Sequence, residues 1–302
     1  MSTCSVRAPR RRPCRPVGSA LLVAVLLALP GCAREVRHQA RPTPPPLFGA
    51  EEPAPRPAVE ARGTGARRYA ALCSPCHGDD GRGDVTLAGD LEPAPTDLTR
   101  CNFKFRTTRS GTLPTDEDLL RTIYVGLPGS AMPSFAGLLP LPALRALVQQ
   151  VKQRCRRFPD EKAGKPLAVL DAPGAADASA KRGRGVYWRE GCHSCHGERG
   201  GDGPAARTLV DAQGRSIRPR DHTRGVFRGG FTAADVYRGF STGLDGTPMP
   251  ALPEGVCSRD RWDLTRYILS LGDRRSGFWR ALTQPPSWYE PALTRRRPWQ
   301  KD

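Results

Sequence analysis

Cys73-Ser74-Pro75-Cys76-His77 and, 119 residues further on, Cys192-His193-Ser194-Cys195-His196 both read C-x-x-C-H. Two thiols three positions apart on one helical turn can reach the two vinyl groups on one side of a porphyrin, and the histidine that follows lies under the iron. A zinc or dithiol pair is the competing reading of C-x-x-C. Here each motif continues into His and then Gly (Gly78 and Gly197), which favours haem attachment. The chain is therefore expected to carry two covalently bound haem c groups. Cys73, Cys76, Cys192 and Cys195 would hold them, with His77 and His196 as the proximal iron ligands.

The expected sixth ligands follow from a scarcity. The chain has three methionines, Met1, Met132 and Met249, so each motif is followed by one. A core methionine ordinarily sits in an apolar helical stripe. These two sit in Gly126-Leu127-Pro128-Gly129-Ser130-Ala131-Met132-Pro133 and Gly243-Leu244-Asp245-Gly246-Thr247-Pro248-Met249-Pro250, 55 and 53 residues after the histidines. A Gly/Pro loop is stiff enough to hold a thioether over an iron, so Met132 and Met249 are expected to complete the metal sites.

An internal repeat surrounds both motifs. Thr115-x-x-Asp118 and Thr232-x-x-Asp235 are capping boxes opening short helices. Leu119/Val236, Arg121/Arg238, Ile123/Phe240 and Gly126/Gly243 match at an offset of 117, the offset of the two methionines. Upstream, Pro95-x-Asp97-x-Thr99-Arg100 mirrors Pro219-x-Asp221-x-Thr223-Arg224. Each unit opens with an aromatic-bearing helix (Tyr69; Tyr187 and Trp188). Each closes with an amphipathic one, over Leu141–Gln153 and Arg261–Leu271.

On these residues the chain resembles class I cytochrome c, twice in tandem, over about residues 62–158 and 178–275. The resemblance implies an all-α fold wrapped around covalent haem, His/Met iron and one-electron transfer. The tract from Phe103-Lys104-Phe105-Arg106 to Met132 is also similar to cytochrome subunits that accompany respiratory oxidoreductases.

Outside the repeats, residues 1–32 read as an export signal. Met1–Ser19 is arginine-rich, Ala20–Leu29 is apolar but too short to span a bilayer, and Leu29-Pro30-Gly31-Cys32 is similar to a lipoprotein box that would be cut and lipidated at Cys32. Pro30 is unusual there, so ordinary cleavage or an uncleaved anchor are the alternatives. All three place the rest of the chain on the periplasmic side of a bacterial membrane. A Pro-rich linker at 33–61 follows, with an extended reach of at most roughly 90 Å. A second linker is expected at 159–177, and a tail at 276–302 carries Trp279, Trp288 and Trp299.

Hydrophobic residues make up 38% of the chain, while Gly (32) and Pro (31) are abundant, which suits small cofactor-stapled domains rather than one large core. The formal charge of +17 falls to +12 without the five arginines of residues 1–31. With no nucleic-acid motif, that charge points to redox partners with acidic docking surfaces, or to solubility alone. Cys101, Cys155 and Cys257 remain. One disulfide (Cys101–Cys155 is a candidate) plus a free thiol is one reading; a Cys101 thiolate bound to iron, as in thiosulfate-oxidising dihaem cytochromes, is the other. His222, where the first repeat has Leu98, is either a surface or haem-carboxylate-contacting histidine or a switchable iron ligand. The expected function is a dihaem electron relay with no catalytic residue. The rival is a dihaem enzyme of the peroxidase or thiosulfate dehydrogenase type, which would need one open or displaceable iron position.

Overall fold

Thr64 accepts a hydrogen bond from the Arg67 backbone and so caps α1 (Gly65–Leu72), which turns directly into α2 (Ser74–His77), the first C-x-x-C-H segment. Pro75 sits in the first turn of α2, where a missing N–H leaves no intrahelical bond unmade. Two 3-10 turns follow, Thr86–Asp90 and Leu98–Arg100, then α3 (Asp116–Val125) and α4 (Leu141–Arg154). The second half repeats the order with α5 (Ala180–Arg189), α6 (His193–His196), a 3-10 turn at His222–Arg224, α7 (Ala233–Thr242) and α8 (Ser258–Gly272). This computed structural model describes residues 64–169, 178–230 and 232–272. The signal segment with Cys32, the 33–61 linker and the 276–302 tail lie outside them. No described helix is long and apolar enough to cross a membrane.

The fold is all-α. The described residues contain no strand, only the isolated bridges Thr108–Pro166 and Val210–Ser216. Both capping boxes form as the sequence predicts. The Thr115 hydroxyl accepts from Asp118 N at 3.1 Å while Asp118 accepts from Thr115 N at 3.0 Å. Thr232 and Asp235 repeat the exchange at 3.2 and 3.0 Å. Helix α8 begins three residues before the expected Arg261, with Asp260 in its first turn, where a negative charge suits the helix dipole.

In the first half α4 packs on α1 and α3; in the second, α8 packs on α5 and α7. Tyr69, Leu120, Leu144 and Leu147 are buried in one core and Tyr187, Leu264, Tyr267 and Leu271 in the other, each contributing roughly 1.5–3 kcal/mol. Gly183 allows α5 to lie directly on α8, because a Cβ there would run into the Asp263 carbonyl. Cys101 and Cys155 form a buried disulfide between the 3-10 turn at Leu98–Arg100 and the end of α4. That bond rules out Cys101 as an iron thiolate. Cys257 is disulfide-bonded as well, so the expectation of a free thiol is corrected.

The two halves meet along a seam of charged groups drawn from distant parts of the chain. The Arg106 side chain is fully buried. It donates to Asp245 Oδ1 at 2.7 Å and to the Thr242 and Phe103 carbonyls at 3.1 and 2.9 Å. Asp245 also accepts from Ser110 Oγ at 2.8 Å and Gly111 N at 3.0 Å. Arg121 of α3 and Arg238 of α7, equivalent positions in the repeat, converge on the buried Asp235 at 2.6 Å each. Burial alone would raise the Asp235 pKa. Arg121, Arg238 and the Thr232 donors outweigh it and hold the carboxyl below its ordinary value. Its stabilising contribution is therefore present above the ordinary carboxylate pKa and is lost only as the pH falls through the depressed one.

Candidate functional site

One cavity of about 1620 Å³ runs through both halves and is lined by all eight residues singled out in the sequence: Cys73, Cys76, His77, Met132, Cys192, Cys195, His196 and Met249. Single ligand pockets hold roughly 300–1,000 Å³, so this volume suits two large ligands rather than one.

The two proximal sides are built alike. Helices α2 and α6 present the motif, and a tyrosine hydroxyl secures the end of each: Tyr69 donates to the Gly78 carbonyl at 3.1 Å and Tyr187 to the Gly197 carbonyl at 2.7 Å. His77 Nδ1 lies 3.2 Å from the Thr96 carbonyl, and His196 Nδ1 lies 3.0 Å from the Arg220 carbonyl. A carbonyl can only accept, so Nδ1 carries the proton and Nε2 keeps the lone pair a metal needs. Burial lowers both imidazole pKa values against the raising effect of the carbonyl bond, a direction that favours the neutral ring.

The methionine loops are the same turn made twice. Leu127 N donates to the Met132 carbonyl and Leu244 N to the Met249 carbonyl, both at 3.1 Å. Ser130 Oγ and Thr247 Oγ1 donate to the Leu127 and Leu244 carbonyls at 2.7 Å. The same two oxygens accept from Met132 N and Met249 N at 3.3 Å. Each loop is launched by a glycine with positive φ, Gly126 (71°) and Gly243 (67°). An ideal Cβ at either would stand 2.6 Å from backbone of the returning strand of loop, so no larger residue fits. The thioethers take no part in these bonds and are left for another partner.

His222 distinguishes the second site. It is buried, its ring stacks on that of His196 at 4.3 Å and 18°, and its Nδ1 has no hydrogen-bond partner in the structure. Burial holds its pKa well below the ordinary value, with His196 and Arg220 adding to the effect. Packed against the proximal ring, it stands in the place of Leu98 rather than beside the methionine loop. His193 stacks instead on Trp188 at 4.2 Å.

These residues fit a covalently attached haem in each half. Four thiols not in disulfides line the cavity in two pairs, each beside an imidazole with a free Nε2 and a loop methionine, and Leu72, Leu98, Phe103, Ile123, Phe135, Val236, Phe240 and Ile268 supply apolar walls. The sequence reading missed the basic groups that also line the cavity, Lys104, Arg220 and Arg228 among them. A signal was available: at the offset of 124 that aligns Pro95 with Pro219, Lys104 falls on Arg228 and Thr96 on Arg220.

Comparison with known proteins bears on both halves. Residues 180–272 match a family model described as Cytochrome c. Residues 60–149 match one described as Cytochrome C oxidase, cbb3-type, subunit III. Among solved structures, the chain is similar to one from the Kuenenia stuttgartiensis reducing HAO-like protein complex Kustc0457/Kustc0458. The identity is 38% and the TM-score 0.65, over 70% of this chain and 97% of that one. No curated protein matches.

Proposed function

This chain belongs to the cytochrome c family, and from that premise we propose that it is a dihaem electron relay passing single electrons between a donor and an acceptor oxidoreductase. The observation that carries the reading is the single cavity lined by two complete sets of Cys, Cys, His and Met. When bound, haem supplies a one-electron iron couple, and Met/His ligation raises its potential.

The chain's own residues do the rest. Cys73 with Cys76, and Cys192 with Cys195, fix each group covalently. The Thr96 and Arg220 carbonyls orient the imidazoles, and the twin loops hold Met132 and Met249 without using their sulfurs. The buried Arg106–Asp245 and Arg121–Asp235 pairs keep the halves in one arrangement, so little has to rearrange when an electron arrives. The similar chain from an HAO-like complex supports work within an oxidoreductase assembly.

The purified protein should give a pyridine haemochrome spectrum for two c-type haems per chain, six-coordinate and low-spin in both oxidation states and when half-reduced. One haem per chain would refute the dihaem reading. A high-spin haem on half-reduction, together with peroxide turnover, would make the protein an enzyme instead.

The same proposal puts the relay on the periplasmic face of a membrane, tethered by a lipid on Cys32, on the strength of Leu29-Pro30-Gly31-Cys32. Labelled fatty acid should be incorporated by the wild type and not by Cys32→Ala. Equal labelling of both would remove the anchor from the proposal.

A further inference from the structure

We propose that His222 is a positioning residue that holds the second haem at a lower reduction potential than the first, so that electrons enter at the second half and leave from the first. The inference rests on the dihaem reading and gives its relay a direction.

The backbone behind the two proximal histidines is the same. Each histidine donates from Nδ1 to a carbonyl, at 3.2 Å in the first half and 3.0 Å in the second. Beside each, a short 3-10 turn is capped by an aspartate: Asp97 accepts from Thr99 N and Asp221 from Thr223 N, both at 2.9 Å. Each turn is tied to a glycine at φ 84°. Leu98 N donates to the Gly81 carbonyl at 2.7 Å and His222 N to the Gly200 carbonyl at 2.6 Å. The chain thus delivers one residue to the same place twice, Leu98 in one half and His222 in the other.

Both side chains are buried. Leucine suits such a place. The imidazole leaves its Nδ1 without a hydrogen-bond partner among the described residues, and its ring also meets Phe227, at 5.8 Å. An unpaired buried polar group is destabilising, so packing alone would favour leucine again. What the imidazole adds is its stack on His196, at 4.3 Å with 18° between the planes.

That contact has an electronic sign. The face of an aromatic ring carries negative potential and attracts positive charge. An imidazole bound to ferric iron is more positive than one bound to ferrous iron, so a ring stacked on it favours the ferric state and lowers the potential. Leu98 offers His77 no such face. Burial favours the neutral form of His222, which keeps the ring electron-rich. Arg220 acts in the opposite sense, but it is half-buried and so screened by water, while Lys104, bonded to Thr96, is its counterweight at the first site. An electron from a donor protein would reduce the second iron from ferric to ferrous. Passing to the first iron, it would return the second to ferric, and it would then leave to an acceptor protein.

The test is a redox titration of the full-length holoprotein, with each haem identified by the wave that moves in Met132→Ala or Met249→Ala. In the wild type the first electron should settle on the first haem. His222→Leu, which copies the first repeat, should raise the potential of the second haem and leave the first in place, so that the two waves approach. His222→Phe, which keeps the aromatic face and removes the nitrogens, should stay near wild type, and both variants should keep two low-spin haems. Leu98→His should lower the first potential, and it decides the matter if a His222 variant does not fold. A second haem that titrates above the first in the wild type would overturn the inference, as would a second potential that His222→Leu leaves unmoved or lowers. His222→Phe behaving like His222→Leu would overturn the stacked face as the cause. A wild type with one haem would instead defeat the dihaem reading beneath it.

Discussion

Met249→Ala is expected to convert about half of the ferric haem from low-spin to high-spin and to remove about half of the weak near-infrared sulfur-to-iron absorption. Met132→Ala should remove the other half. The reason lies in how the loop is built. The Met249 backbone bonds to Leu244 and Thr247, and its sulfur bonds to neither, so truncation deletes the thioether while the loop persists. Neither alternative ligand raised by the sequence is poised to replace it. His222 is stacked on His196, and Cys101 is locked to Cys155. Magnetic circular dichroism of the two single variants would check this, and an undiminished sulfur band in either would remove that methionine from the metal site.

Arg106→Met should destabilise the protein by about 3 kcal/mol, at the lower end of the range for breaking a buried ion pair. The Arg106 side chain is fully buried and that of Asp245 is 12% exposed, so removing the arginine strands a carboxylate with little water to solvate it. Asp245 keeps Ser110 and Gly111 as donors, which moderates the loss. The Thr242 and Phe103 carbonyls lose their donor as well. Asp245 lies within the turn that presents Met249, so the second haem's sulfur band should also weaken in the folded variant. Urea unfolding followed at both haems would show the midpoints separating as the halves uncouple. A change below about 0.5 kcal/mol, the range of an ordinary surface substitution, would contradict the role assigned to this pair.

The residues that meet in the cavity were legible because their patterns are local. A C-x-x-C-H turn, a capping box and a methionine flanked by Gly and Pro are each written within about ten residues, and the repeat offsets set them side by side. The helices followed from periodicity and caps, with α8 extending beyond the apolar pattern because Asp260 supports its first turn. The seam was not legible. Arg106 meets Asp245 across 139 positions and Arg121 meets Asp235 across 114, and no periodicity carries such pairings. Arg121 and Arg238 were recognised as equivalent, yet nothing in the sequence says that both turn to one carboxylate. His222 likewise reads from the sequence as a surface or haem-contacting side chain, and it is buried. Its contact with His196 depends on the chain folding back between residues 200 and 222, where His222 N donates to the Gly200 carbonyl at 2.6 Å.

The buried charges at the seam also bear on how such a chain can be taken apart or recombined. A first half expressed alone would present the guanidinium of Arg106 without Asp245 and that of Arg121 without Asp235; a second half alone would leave Asp245 without Arg106, and Asp235 with Arg238 but without Arg121. Neither fragment would be a self-sufficient small cytochrome. Grafting one half onto a foreign partner would succeed only if the matching acid or base travelled with it. Two repeats built alike are in this way bound into a single unit, whose halves can differ in chemistry but not come apart.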